Sequence, residues 1–198
     1  MMEPSIAAAK AGVTTGEWGD VLRDVFGQYR GPTGVSIVMS SDPDAAEAEV
    51  QAEVKRVSEM LGRTLTYVVG KPGLDGHSNG AEQIATKAKA VGMDVRYDGI
   101  RFTPEEIVKQ AVDAKAHVVG LSILSGSHVE LVRDVAAKMR EAGIGHVPLV
   151  VGGIVPPEDE LVLKQVGVAR VYTPKDFKLN QIMLDTVKLV ERSASETV

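Results

Sequence analysis

The stretch Thr64–Gly92, TLTYVVGKPGLDGHSNGAEQIATKAKAVG, decides the fold because it holds one complete strand, loop and helix. Its first six residues, Thr64–Val69, are rich in β-branched and apolar side chains and predict a buried strand. A glycine-rich segment follows, and then an apolar stripe at helical spacing that closes at Gly92. The stripe consists of Ala81, Ile84, Ala85, Ala88 and Val91. This unit therefore predicts a strand that leads through a loop into an amphipathic helix.

The same alternation of strand and helix continues downstream, which is typical of a parallel sheet covered by helices on both faces. The second strand alternates apolar and charged residues, and Arg170 interrupts the fifth, so we expect both at the sheet edges. The fold class is therefore α/β, a flavodoxin-like (Rossmann-type) five-stranded parallel sheet in the order 2-1-3-4-5. The predicted strands are Thr64–Val69, Met93–Tyr97, Val118–Leu124, Leu149–Val151 and Ala169–Tyr172.

Two helices are predicted upstream of the sheet. Thr14 and Glu17 have the spacing of a capping box, which predicts a helix that ends near Gly27. The segment YRGPTGVS predicts a linker, and a second helix is expected over residues 42–62.

The chain length of 198 residues suits one α/β domain with an extension. We expect residues 1–40 to form an N-terminal arm and residues 41–198 to form one domain, with its βα core over residues 63–192.

Composition excludes several classes of protein. There is no cysteine, which excludes disulfides, thiolate metal sites and cysteine nucleophiles. The net charge of −5 and the 4 % aromatic content argue against a nucleic-acid surface. The longest mainly apolar stretch, residues 117–124, is far shorter than the roughly 20 residues that span a bilayer, and the N-terminus has no signal pattern. We therefore expect no membrane segment and a cytoplasmic location.

The predicted strand order places a candidate site in the loops after strands one and three, where the chain reverses direction and ligands of such sheets bind. The first loop carries Asp75 and His77, whose side chains can lie on one side of an extended backbone. Such a carboxylate can accept the proton of one imidazole nitrogen and leave the other nitrogen to bind a metal or act as a base. A histidine in a loop is otherwise more often a simple surface residue.

Small residues surround this pair. Gly73, Gly76 and Gly80 allow a bulky ligand to come close to the backbone. The next helix is expected to begin near Ser78, so that its free N–H groups point into the same region.

Two further strand ends are unusual in composition. The segment GLSILSGSH after strand three places Ser122, Gly126 and His128 at the same edge of the sheet. Strand four ends in Gly152 and Gly153, where the missing side chains open space between sheet and helices. Either feature alone also fits an ordinary core hydroxyl or a strand-to-loop turn. Together they predict a slot beside the sheet that suits a long cofactor tail.

Other types of site fit less well. A phosphoacceptor receiver domain needs an aspartate at the end of strand three, which is absent, although Lys175 is present after strand five. A flavin-binding fold needs a loop rich in Ser and Thr after strand one, whereas this loop reads KPGLDGH. Zinc hydrolysis by Asp75, His77 and His128 is a further alternative, but nothing in the sequence places His128 near His77.

Three motifs occur in order at three strand ends: Asp75-x-His77-x-x-Gly80, Ser122-x-Leu124 and Gly152-Gly153. Together they resemble the cobalamin-binding domain of base-off/His-on corrinoid enzymes, over roughly residues 64–190. The form is similar to that of the acyl-CoA mutases, the methylmalonyl-CoA mutase family. The segments EPSIAAAKAGVTTGEW, YRGPTGVS and VARVYTPKDF resemble its ethylmalonyl-CoA mutase branch.

The resemblance implies adenosylcobalamin as the cofactor. His77 would replace the dimethylbenzimidazole base as the lower axial ligand of cobalt, and Asp75 would hydrogen-bond its other ring nitrogen. Homolysis of the cobalt–carbon bond would come from the cofactor, so no catalytic residue is expected in this chain.

The resemblance also implies that the displaced nucleotide tail enters the slot beside the sheet. Ser122 would hydrogen-bond the base and Leu124 would pack on it, while Gly152 and Gly153 leave room. Further cofactor contacts are expected at Gly76, Ser78, Asn79, Gly80, Gly126, Tyr172 and Thr173.

The resemblance finally implies a larger assembly, because in this family a separate barrel binds the acyl-CoA and none fits into 198 residues. We expect a carboxy-terminal piece that is inactive alone, partnered by an acyl-CoA-binding barrel domain or large subunit, and a homodimer in the full enzyme. The reaction would convert ethylmalonyl-CoA to methylsuccinyl-CoA. The alternative is a stand-alone carrier, a sensor or a small mutase subunit, although sensors usually place four helices before this fold and only two are predicted here.

Overall fold

The protein is described by a computed structural model that covers residues 2–27, 45–176 and 178–196. Five parallel strands form one sheet in the order β2-β1-β3-β4-β5, which confirms the predicted fold class and strand order. Each predicted strand end lies within two residues of the observed one. The strands are β1 (Thr66–Gly70), β2 (Asp94–Arg96), β3 (Val118–Ile123), β4 (Leu149–Gly153) and β5 (Val168–Tyr172).

Burial explains the strand order. All six residues of β3 are buried, as a central strand with helices on both faces requires. In β2 only Val95 is buried, while Asp94 and Arg96 keep contact with water. A strand with one wet face can lie only at an edge, as the alternating sequence predicted.

Helices cover both faces of the sheet and enclose a separate apolar core on each side. One face is covered by α3 (Ala45–Met60), α4 (Asn79–Ala90) and α8 (Leu179–Glu196). The other is covered by α5 (Pro104–Asp113), α6 (His128–Glu141) and α7 (Pro157–Gln165). No helix in the described ranges is long and apolar enough to cross a membrane.

Helices α1 (Met2–Lys10) and α2 (Thr15–Phe26) belong to a compact unit of their own. The predicted capping box is confirmed, since Thr14 Oγ1 accepts from the N–H of Glu17 and Glu17 Oε2 accepts from the N–H of Thr14. The prediction of two helices before the first strand is wrong, because α1, α2 and α3 all precede β1. The residues of α1 show no strong apolar stripe, but its alanines favour a helix by intrinsic propensity.

The predicted linker YRGPTGVS and the first residues of the helix predicted over 42–62 lie outside the described residues.

Candidate functional site

The candidate site lies at the carboxyl edge of the sheet. Strand pairing puts Ser122 of β3 beside Gly152 of β4, and Gly152 beside Tyr172 of β5. These three predicted residues therefore form a row across adjacent strands. The loop from β1 to α4 reaches the same edge, because the N–H of Leu124 donates to Asp75 Oδ2 at 2.9 Å.

Asp75 orients His77, as the sequence predicted for this pair. Asp75 Oδ1 lies 2.7 Å from His77 Nδ1 and also accepts from the N–H of His77 at 3.0 Å. The Asp75 side chain is only 4 % exposed, whereas that of His77 is 76 % exposed. The buried carboxylate thus holds the ring at its Nδ1 edge, and most of the ring is exposed to solvent.

Lys71 contacts the Asp75–His77 pair and was not predicted from the sequence. Its side chain is completely buried, and Nζ donates to Asp75 Oδ2 at 2.7 Å and to the carbonyl of Ser122 at 3.2 Å. Lysine is rarely buried unless it is paired, so a hydropathy pattern assigns it to the surface. The available signal was its position immediately after the first strand and four residues before Asp75.

The charge of Asp75 follows from these contacts. Burial alone would raise its pKa, but hydrogen bonds from Lys71, His77 and the N–H of Leu124 hold the pKa of Asp75 well below its ordinary value. An ionised carboxylate can only accept, so Nδ1 of His77 carries the proton. Nε2 of neutral His77 is therefore left with a lone pair at the exposed edge of the ring.

A cavity of about 410 Å³ opens beside the sheet, where the slot was predicted. Its walls come from the carboxyl ends of β1, β3, β4 and β5 and from the facing helices α4 and α8. Seven of the predicted site residues line it, namely Gly80, Ser122, Leu124, Gly152, Gly153, Tyr172 and Thr173. The tyrosine Tyr67 and the first residues of α8 also line it, and neither was predicted.

The two glycines of β4 serve different purposes. A Cβ on Gly152 would come no nearer than 3.9 Å to the Leu121 carbonyl oxygen, so its absence simply widens the cavity. A Cβ on Gly153 would overlap the carbonyl oxygen of Ile123. Gly153 is therefore required by the close approach of β3 and β4, besides lining the cavity.

The remaining predicted residues lie outside the cavity wall. The helix expected near Ser78 begins at Asn79, and the Ser78 side chain makes no capping hydrogen bond. A Cβ on Gly76 or on Gly126 would meet no atom within 4 Å. The two glycines therefore leave open space in the His77 loop and in the loop after β3.

His128 takes no part in a metal cluster with Asp75 and His77. Its Nε2 lies 2.9 Å from Asp159 Oδ2 on α7, and its Nδ1 lies 3.3 Å from the carbonyl of Ser125. Among the described residues no three His, Cys, Asp or Glu side chains are grouped so as to hold a metal ion. The zinc alternative therefore has no ligand set in that part of the chain.

An oriented imidazole at a topological switch point, with a cavity beside it, is typical of a ligand-binding α/β domain. Residues 65–176 match the family described as "B12 binding domain", and the chain belongs to this family. The resemblance to cobalamin-binding domains that the motifs suggested is thereby confirmed.

The curated relatives that the chain matches are acyl-CoA mutases. The chain is 62 % identical to ethylmalonyl-CoA mutase of Methylorubrum extorquens over 98 % of its own length and 28 % of the relative. It is 60 % identical to ethylmalonyl-CoA mutase of Cereibacter sphaeroides, over 98 % of the chain and 29 % of the relative. Human mitochondrial methylmalonyl-CoA mutase is 34 % identical, over 86 % of this chain and 23 % of the relative. The chain thus spans less than a third of these curated relatives and is homologous to that part of them.

Two solved structures share the fold. A cobalamin-binding protein from Desulfitobacterium hafniense superposes with a TM-score of 0.54 at 22 % identity, covering 74 % of this chain and 67 % of that one. The monomethylamine corrinoid protein of Methanosarcina barkeri gives a TM-score of 0.51 at 17 % identity, covering 72 % and 64 %. At this level of identity the likeness concerns the fold alone.

Proposed function

We propose that this chain binds adenosylcobalamin in the base-off/His-on form, with Nε2 of His77 as the lower axial ligand of cobalt. The observation that carries the proposal is the line from Lys71 through Asp75 to His77. Two buried charged groups hold one exposed imidazole in a single tautomer, with its free nitrogen at the edge of the sheet. Second-sphere carboxylates commonly orient histidine ligands in this way.

The donor set fits this cofactor. Neutral imidazole is a common ligand of transition metals, so His77 would hold the cobalt of the bound cofactor through Nε2. The bound cofactor would supply the cobalt–carbon bond homolysis. The residues of this chain orient the ligand, fix its tautomer and hold the tail.

The cavity fits the displaced nucleotide tail. The Ser122 hydroxyl has no hydrogen-bond partner among the described residues, and Gly152 leaves the neighbouring wall open. The Tyr172 hydroxyl is also buried and has no hydrogen-bond partner among the described residues. We propose Ser122 as the partner of the base, Leu124 as its packing surface, and Gly153 and Thr173 as further contacts. Gly80, which lines the cavity, is proposed as a further contact of the tail, and Gly76, Ser78, Asn79 and Gly126 are proposed to border the corrin ring.

The whole protein is proposed to be a carbon-skeleton-rearranging acyl-CoA mutase that converts ethylmalonyl-CoA to methylsuccinyl-CoA. The 62 % identity to an ethylmalonyl-CoA mutase, against 34 % to a methylmalonyl-CoA mutase, supports this branch. Since the match spans 28 % of the relative, we propose that an acyl-CoA-binding barrel domain or large subunit completes the enzyme, which is a homodimer. Residues 1–40 would connect that barrel to the cobalamin domain.

Spectral titration with hydroxocobalamin tests the proposed ligand. We expect the absorption spectrum to shift to that of the base-off, imidazole-ligated form, and we expect His77→Ala to abolish the imidazole signature. His146→Ala, an exposed histidine at the opposite edge of the sheet, is the matched control and should behave as the unaltered chain. No spectral change on mixing, or a change that survives His77→Ala, would contradict the proposal. With adenosylcobalamin bound, the chain alone is expected to show no turnover of ethylmalonyl-CoA.

A further inference from the structure

His128 is a buried histidine that is not among the residues proposed to bind the cofactor. It is the first residue of α6 and only 5 % exposed. Its ring joins two segments, since Nε2 contacts the Asp159 carboxylate of α7 and Nδ1 contacts the Ser125 carbonyl. A polar ring buried to this extent is costly unless it is hydrogen-bonded, so both contacts help to fix its place.

Both partners of the ring are acceptors. Each contact needs a proton on the ring nitrogen that makes it. Asp159 lies in the first turn of α7, so the ring connects the beginning of α6 to the beginning of α7. A histidine in this place therefore depends on its partner across the loop.

The loop held by His128 is the loop that supports Asp75. Ser125 directly follows Leu124, and the N–H of Leu124 is one of the donors to Asp75 Oδ2. Strand pairing places Ile123, one residue before Leu124, beside Gly153 of β4, so closely that a Cβ on Gly153 would overlap the Ile123 carbonyl oxygen. Ile123 is thus fixed by its pairing with β4, and Ser125 is fixed through His128 and Asp159 of α7. Leu124 lies between these two fixed residues.

We propose that His128 is a positioning residue for the Asp75–His77 pair. With Asp159 it fixes the loop after β3, so that the N–H of Leu124 stays directed at the carboxylate that orients His77. The effect on Asp75 stands on this chain's own contacts. The effect on cobalt ligation rests on the proposed function.

Amide hydrogen exchange of Leu124, followed by NMR in the cofactor-free chain, tests the positioning role directly. We expect His128→Ala to speed this exchange about tenfold, while His146→Ala leaves it within about twofold of the unaltered chain. Asp159→Ala should act in the same direction, and Asp159→Asn less so, because its amide oxygen still accepts from the ring. Asp159 is 30 % exposed, so its variants answer the question even if His128→Ala does not fold. Unchanged Leu124 exchange in both alanine variants would overturn the inference.

Cobalt ligation provides the second readout. After loading and reduction to cob(II)alamin, we expect the fraction showing imidazole nitrogen coupling in the EPR spectrum to fall at least about twofold in His128→Ala. Asp159→Ala should lower this fraction in the same way, and the conservative Asp159→Asn should keep most of the coupling seen in the unaltered chain. If the unaltered chain shows His77-dependent coupling and both alanine variants keep it in full, the link to ligation fails and the proposed function stands. If the unaltered chain shows no such coupling, the proposed function and this link fail together, and Leu124 exchange alone decides the positioning of Asp75.

Discussion

His77 and His117 lie at opposite edges of the same sheet and are held in opposite ways. At the carboxyl edge, Nδ1 of His77 donates to the Asp75 carboxylate, which leaves a lone pair on the exposed Nε2. At the amino edge, Nδ1 of His117 accepts the N–H of Thr66 at 2.9 Å, so Nε2 carries the proton when the ring is neutral. One imidazole keeps a free lone pair at the exposed edge of its ring, whereas the other uses its Nδ1 lone pair to accept a backbone N–H.

The surroundings of the two rings extend this difference. Lys71 is fully buried, and its charge is paired with the Asp75 carboxylate. Beside His117, Arg63 donates to the carbonyl of Lys115 without a carboxylate partner in the described contacts. Burial and the Arg63 charge lower the pKa of His117 to about 4. The partner of Nδ1 decides whether Nε2 of a histidine keeps a free lone pair. His77 and His117 are the same residue type, so only these partners distinguish them.

The largest effect is expected at the backbone framework of the carboxyl edge. In Gly153→Ala the new Cβ overlaps the Ile123 carbonyl oxygen, so the strands must separate, and we expect a loss of about 4 kcal/mol in the free energy of unfolding. Gly152→Ala is the matched control, because its Cβ would meet only ordinary contact, and we expect a loss below about 1 kcal/mol. Urea unfolding measures both. Equal losses would show that β3 and β4 can move apart at this edge.

The buried ion pair behind His77 is the next test. Lys71→Met leaves the Asp75 carboxylate buried without its cation, and we expect a loss of about 3 kcal/mol in unfolding free energy at pH 7. Lys109→Met removes an exposed lysine that pairs with Asp113, and should cost less than about 1 kcal/mol. Urea unfolding at pH 7 compares the two. If both variants lose the same small amount of unfolding free energy, the backbone N–H groups of His77 and Leu124 are enough to stabilise the buried Asp75 carboxylate. The cation at the carboxyl edge would then contribute no more to stability than an exposed lysine does.

At the amino edge, His117 predicts a pH-dependent term. The folded chain keeps the ring neutral down to about pH 4, whereas the unfolded chain protonates it below about pH 6.5. Its contribution to stability is therefore complete above pH 6.5, falls as the pH drops towards 4, and is lost below that. Because the ring is partly exposed and therefore screened by solvent, we expect this contribution to the free energy of unfolding to be about 1 kcal/mol. In His117→Gln this part of the decline between pH 7.5 and 4.5 should disappear from urea unfolding curves, and an unchanged decline would assign it to other groups.

The smallest effect on stability is expected at the proposed ligand itself. His77 is 76 % exposed, and Asp75 keeps Lys71 and the N–H of Leu124 when the ring is removed. His77→Ala should change the unfolding free energy of the cofactor-free chain by less than about 0.5 kcal/mol. Thermal unfolding without cofactor checks this. A large loss would mean that the ring is a structural element, like His117, and would weaken its assignment as a ligand.

Much of the site could be predicted from local sequence. Asp75 and His77 are two residues apart, so their contact depends on a few backbone angles. Ser122, Gly152 and Tyr172 could be brought together because strand order follows from burial patterns and parallel strands end at one edge. Lys71 could not be placed, since its burial depends on Asp75 and on the Ser122 carbonyl, which is 51 residues away. The pairing of His128 with Asp159, 31 residues apart, escaped for the same reason.

The sequence by itself determined the five-stranded parallel sheet, its order, and the loops in which a ligand would be held, because hydrophobic periodicity and strand burial are local properties. It also carried the motifs of the B12 binding domain family. Only the tertiary structure decided that His128 pairs with Asp159, that Gly153 is required by a neighbouring carbonyl, and that Lys71 is buried against Asp75. Those features depend on atoms that the fold brings together from distant parts of the chain.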